Sequence, residues 1–202
     1  MSEVFDLCVV FFNYAVLALF AQNAIFSRGL GVSRLVQLVG DERTSSWLFS
    51  LLLCVTQLLV APVSYFAGSF LGMMPNRAAF RPLLFLCCVA VVCLVERLIL
   101  GLWRSRWQAQ LIRILPLAAL NSCVLGTVLV TRTQSFTLAQ SMGFGLGSGL
   151  GYLLAVLLVT EARSRLRSRT IPAAFRGLPI TLVYIGVLAL AIYGFTGHTV
   201  IL

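Results

Sequence analysis

Apolar residues fall along this chain in six blocks, separated by short polar gaps that hold most of the charge. A spanning helix needs roughly 20 predominantly apolar residues. The blocks lie at about Val4–Phe26, Ser46–Gly72, Pro82–Leu102, Leu111–Thr131, Phe136–Thr160 and Leu178–Gly197. The pattern predicts an all-α membrane protein with six transmembrane helices in a single domain over residues 1–202. Glu3 and Asp6 flank the first block in place of basic residues, and no small-x-small site follows it, so it is expected to be retained rather than cleaved as a leader.

Composition agrees. Only 10% of the 202 residues are charged and 60% are hydrophobic, with mean hydropathy +1.00. A soluble domain carries about 25% charged residues; with so few, the polar surface cannot cover a globule in water, and lipid removes the need. The net charge of +9 comes from arginine alone, since the chain has no lysine. A nucleic-acid binder needs a basic stripe on one face, whereas here the arginines occupy gaps between apolar blocks, so no nucleic-acid partner is expected. The first, third and fifth gaps hold twelve of the fifteen: Arg28, Arg34, Arg43; Arg97, Arg104, Arg106, Arg113; Arg163, Arg165, Arg167, Arg169, Arg176. Basic loops stay in the cytoplasm, which puts both termini outside, and Trp103 and Trp107 suit an interfacial belt. The Arg-x-Arg run after Arg163 is read as orientation control and lipid attraction, or as a dock for an acidic soluble partner.

Two patterns lie inside the blocks. Gly143, Gly147 and Gly151, four apart, make a smooth stripe that admits a close neighbouring helix. Leu19-Phe20-Ala21-Gln22-Asn23 before Leu30-Gly31 is echoed by Leu117-Ala118-Ala119-Leu120-Asn121 before Leu125-Gly126. The copies are three spans apart, and an odd number of spans makes the halves, about 1–105 and 106–202, inverted relative to each other. Inverted repeats place functional sites at mid-membrane. Asn23 and Asn121 are therefore candidate midplane polar residues, serving either as helix–helix hydrogen bonds or as the lining of a cofactor or ion path.

Other chemistry is sparse. Cys8, Cys54, Cys87, Cys88, Cys93 and Cys123 form no C-x-x-C pair and read mainly as small apolar residues. Glu96, near the end of the third block, is a candidate for an ion pathway, against an interfacial ion pair or plain exposure. Glu161 reads as a boundary charge. With one histidine, His198, and no lysine, no nucleophile–base constellation, catalytic residue or metal site is assigned.

Taken together, Leu115-Pro116-Leu117, Asn121, Val124-Leu125-Gly126, Arg163-x-Arg165-Leu166, Ile171-Pro172-x-x-Phe175-Arg176-Gly177 and Gly194-Phe195-x-Gly197 resemble the RnfA/NqrE family. The likeness is clearest from Leu111 onward and collinear through Asn23 and Gly31-Val32-Ser33. The family comprises membrane subunits of the Rnf electron transport complex and the sodium-translocating NADH:quinone reductase, in the bacterial inner membrane. The resemblance implies two inverted three-helix repeats with the first and fourth helices broken at mid-membrane. It also implies a homologous membrane partner within a larger complex, and a [2Fe-2S] cluster at the shared interface to which each of the pair gives two cysteines.

The sequence departs from the family at those cysteines. The first, which lies between the Asn and the Gly-Val-Ser, is absent: Asn23 runs through Ala24-Ile25-Phe26-Ser27-Arg28-Gly29-Leu30 straight into Gly31. At the second, directly after the Asn, stands Ser122, and the thiol of Cys123 comes one residue later, turned by about 100° on a helix. Cys123 remains a candidate cofactor ligand, and the expectation is a divergent paralogue with the iron–sulfur site altered or lost. The competing readings are a small inverted-repeat transporter and a non-redox assembly subunit.

Overall fold

In the computed structural model, residues 2–40, 45–71, 77–102, 106–166 and 172–197 are described, and among them every regular element is helical. The elements are α1 (Ser2–Leu19), α2 (Val32–Gly40), α3 (Ser46–Leu71), α4 (Arg77–Leu102), α5 (Gln108–Ala119), α6 (Ser122–Thr133), α7 (Leu138–Leu166) and α8 (Leu178–Thr196), with a short 3₁₀ turn at Ala173–Phe175. Trp103, Arg104, Arg43, Arg167, Arg169 and His198 lie outside the described residues.

Among the described residues four helices, α3, α4, α7 and α8, are long and apolar enough to cross a membrane, and the pair α5–α6, bent by 48°, makes a fifth where the two count as one span, against the six expected from the sequence. The outward faces carry Phe5, Leu94, Leu98, Leu190 and Phe195, all exposed. Such surface is stable only against lipid or another membrane chain. The protein is thus multi-pass. One expected boundary is corrected: the first apolar block is not one helix to Phe26, because α1 ends at Leu19 and residues 20–31 form a compact turn before α2.

α7 is the hub. About 61% of its membrane window is buried, against 6% for α8, which therefore lies at the edge. The glycine stripe explains the hub's geometry. A Cβ on Gly143 or Gly147 would overlap the backbone carbonyls of Phe11 and Ala15, and one on Gly151 would come within 2.7 Å of Asn23 Nδ2. α1 therefore lies backbone to backbone on α7. A second stripe, Gly145 and Gly149, turns toward α3, where a Cβ would meet Gln57 O at 3.0 Å and Cys54 Cα at 2.6 Å. One glycine-rich helix thus seats a neighbour on each side, and Tyr152, Ala155, Val156 and Val159 continue it as ordinary core.

Candidate functional site

Both breaks are built by local rules. In α5, Pro116 cannot donate to the preceding turn. After Ala119 the chain reaches Asn121 in an extended conformation (φ −85°, ψ 141°), and the Asn121 side chain accepts from Cys123 N at 3.1 Å, capping α6. An Asn at this position satisfies one of the orphan N–H groups that open a helix. In the first break, Asn23 Oδ1 accepts from Ile25 N at 2.9 Å and Phe26 N at 3.3 Å, while its Nδ2 donates to Leu19 O at 2.9 Å. Asn23 therefore ties the last carbonyl of α1 to the turn that follows. Both asparagines are buried, at 0% and 2% exposure. These bonds are local, each side chain holding its own break.

The two breaks meet. Gly31 N donates to Ser122 Oγ at 3.0 Å. Gly31 has φ +80°, and a Cβ there would stand 3.0 Å from Tyr152 Cε2, 3.1 Å from Asn121 Oδ1 and 3.3 Å from Cys123 Cβ. Only glycine supplies that φ at low cost. Gly31→Ala is expected to destabilise the chain by about 1–3 kcal/mol, read as a lower unfolding temperature in detergent. Gly29→Ala, also at positive φ (+68°) but with nothing within 4 Å, separates strain from crowding and should cost less.

Behind Ser122 lies a polar pocket inside the bundle. Gln57 Nε2 donates to Cys123 Sγ at 3.2 Å and to Thr127 Oγ1 at 3.4 Å, and the Thr127 and Ser148 hydroxyls are 2.8 Å apart. Cys123 is 0% exposed. Ser122, by contrast, is exposed on the outside of the chain. No signal in the sequence points to Gln57, Ser148 or Tyr152, because isolated polar residues in apolar helices carry no spacing motif.

These positions bear on the cluster that the resemblance implies. A four-thiolate centre shared between two chains needs two thiols from each at the interface. Here the outward position holds a hydroxyl, the adjacent thiol points into the bundle, and residues 20–31 contain no cysteine. The residues present do not fit such a centre.

Glu96 stands apart, on α4. It is 5% exposed, so plain exposure does not describe it, and its Oε2 accepts from Thr56 Oγ1 at 2.9 Å. It borders an apolar cavity of about 360 Å³ between α3, α4 and the start of α5, with Leu52, Val55 and Ile99 among its walls. Thr56 adjoins Gln57 in sequence, so α3 carries polar side chains from Glu96 toward Cys123.

Arg28, which the sequence placed in a loop, lies within the first break and donates to Gln22 Oε1 at 3.2 Å. Arg34 falls in α2 and bonds Gln37. At the other end of α2, Arg163 donates to the carbonyls of Val39 and Gly40, closing that helix's C-terminus.

Known proteins match this chain in sequence. The family model described as "Rnf-Nqr subunit, membrane protein" covers residues 11–199. An ion-translocating oxidoreductase complex subunit from Pasteurella multocida is 34% identical over 141 residues, 69% of this chain and 73% of that protein. Its counterpart from Yersinia enterocolitica is 32% identical over 139 residues, 69% of this chain and 72% of its own. That from Syntrophotalea carbinolica is 42% identical over 83 residues, 41% of this chain and 43% of its own.

Proposed function

This chain belongs to the Rnf-Nqr family of membrane subunits, and from that membership we propose that it works as a membrane subunit of an ion-translocating electron-transport complex. In this reading the chain is one domain of six spans in two inverted halves, about 1–105 and 106–202. α1 with α2 makes the first span and α5 with α6 the fourth. Both termini face outward from a bacterial inner membrane. Its partners are a homologous membrane subunit together with the remaining members of the complex.

The observation that carries the reading is the hydrogen bond from Gly31 N to Ser122 Oγ, which joins the two helix breaks within the stretch that the family model matches. Within that reading the chain is a divergent member that keeps the scaffold and has lost or altered the iron–sulfur site, because its outward position is Ser122 and Cys123 is turned inward. Glu96 with Thr56 is placed on an ion route, since a carboxyl enclosed in a membrane bundle is costly unless used.

Two measurements test the two halves of this reading. Purified from its native membrane through a tag, the chain is expected to bring other membrane subunits with it; a chain that purifies alone would refute its membership of a complex. Co-expressed with only its homologous partner, it is expected to hold iron and acid-labile sulfide far below one cluster per pair. A full cluster in that preparation would refute the loss of the site and leave membership standing.

A further inference from the structure

We propose that Arg28 anchors a heteromeric interface by pairing with a carboxylate that a helix of a different membrane subunit presents at mid-bilayer depth. The proposal rests on the chain's belonging to a membrane complex, and adds which residue holds the partner and by what chemistry.

Depth comes from the helices themselves. α5 and α6 have 12 residues each, about 18 Å apiece, so the break at Asn121 lies midway along the bent span. Gly31 touches the Asn121 and Cys123 side chains and donates to Ser122, which puts the first break at that same level. Arg28 is three residues earlier in that turn. Its side chain is exposed on the chain's surface, and among the described residues its hydrogen-bond acceptor is the neutral amide oxygen of Gln22. Among the described residues no carboxylate pairs with it.

An arginine there, beside a narrow crevice whose polar walls are the neutral Gln22, Thr127 and Ser148, is unfavourable without an anion. Charged residues at this depth are paired or line a polar path. The guanidinium cannot shed its proton, so the compensation has to come as an anion, and a planar fork of donors is best matched by a carboxylate. Lipid phosphates lie at the bilayer surface.

Among the described residues, a second copy of this chain offers no carboxylate suited to the partner role. Its acidic residues are Glu3, Asp6, Asp41, Glu42, Glu96 and Glu161. Glu3 and Asp6 sit in the first turns of α1, Glu161 is near the end of α7, and Glu96 is buried against Thr56. Asp41 and Glu42 fall between α2 and α3, outside the described residues. None of the described ones is an exposed carboxylate at the level of the breaks. With no such group among the described residues, the partner assigned is a different chain with Asp or Glu within a membrane helix.

The test uses the absence of lysine. Arg28→Lys gives the complex a subunit whose only amine besides the N-terminus sits at this position. A membrane-permeable carbodiimide applied to native membranes activates carboxyl groups, and the introduced amine displaces the activating group to form an amide, with the carbodiimide leaving as its urea. Peptide mapping is expected to find that amide on an Asp or Glu inside a helix of another subunit. Arg28→Leu is expected to lower the partner retained on purification by at least about thirtyfold, the scale for removing one member of a buried charge pair. It should leave the unfolding temperature of the isolated chain nearly unchanged, since Arg28 is exposed. Full retention by Arg28→Leu overturns the proposal, as does an amide formed only with a second copy or with none of the subunits while the complex remains assembled. A wild-type chain that purifies without any partner overturns membership of a complex, and this proposal with it.

Discussion

Gly147→Ala is expected to cost about 3 kcal/mol or more, near the top of the range for forcing an extra methyl into a packed interior. The reason is what the new atom meets. A Cβ on Gly147 would overlap the carbonyl oxygen of Ala15, which is main chain and cannot swing aside as a side-chain tip does. Relief requires α1 as a whole to move off α7. That shift also lifts Phe11 from Gly143 and Asn23 from Gly151, so the contact is lost along the full stripe. In lipid the loss has no hydrophobic compensation, because helix association there depends on close packing and hydrogen bonds. For a chain of this size the unfolding temperature in detergent should fall by about 6–12 °C. Gly194→Ala on α8, where a Cβ meets nothing within 4 Å, supplies the control and should be neutral or slightly stabilising. If the two variants unfold together with wild type, the backbone contact between α1 and α7 is not what holds this fold.

That stripe is half legible in the sequence. A four-residue glycine spacing announces a flat helix face, and Gly143, Gly147 and Gly151 stand out that way. Gly145 and Gly149 share the spacing, but it does not say that a second neighbour, α3, lies against them. The spans are legible for the same reason: hydropathy over twenty residues reports on burial in lipid, whichever neighbour a helix meets. The first block fails at its end because composition continues through Phe26 while the helix stops at Leu19, where Asn23 and the positive-φ residues Gly29 and Gly31 build a turn instead. The place of Arg28 inside that turn is hidden with it, because an arginine in an open loop and one folded into a compact turn look alike in sequence. Glu96 is visible as a candidate, but its enclosure with Thr56 depends on a contact between residues forty positions apart, and no local pattern encodes that.

Asn23 and Asn121, picked out by the echo, carry the second large expectation. Asn121→Leu removes the acceptor for Cys123 N, a buried donor at the first turn of α6. Loss of an N-cap costs about 0.5–2 kcal/mol, and an orphaned buried N–H adds about 1–3; the two overlap, so about 2–4 kcal/mol is expected for the whole change. Asn121→Ser keeps a short acceptor at the cap and should recover most of it. Asn23→Leu strands Ile25 N and Phe26 N in the same way and should cost a similar amount. The more telling quantity is their coupling. The breaks touch through Gly31, which lies against Asn121 and donates to Ser122, so loosening either one moves the surface on which the other rests. A double-mutant cycle read by thermal or denaturant unfolding is expected to give an interaction term of at least about 0.5 kcal/mol, beyond what independent distant sites show. Strict additivity would mean that the breaks are two separate kinks that happen to adjoin, and would remove the physical basis for treating the midplane as one site.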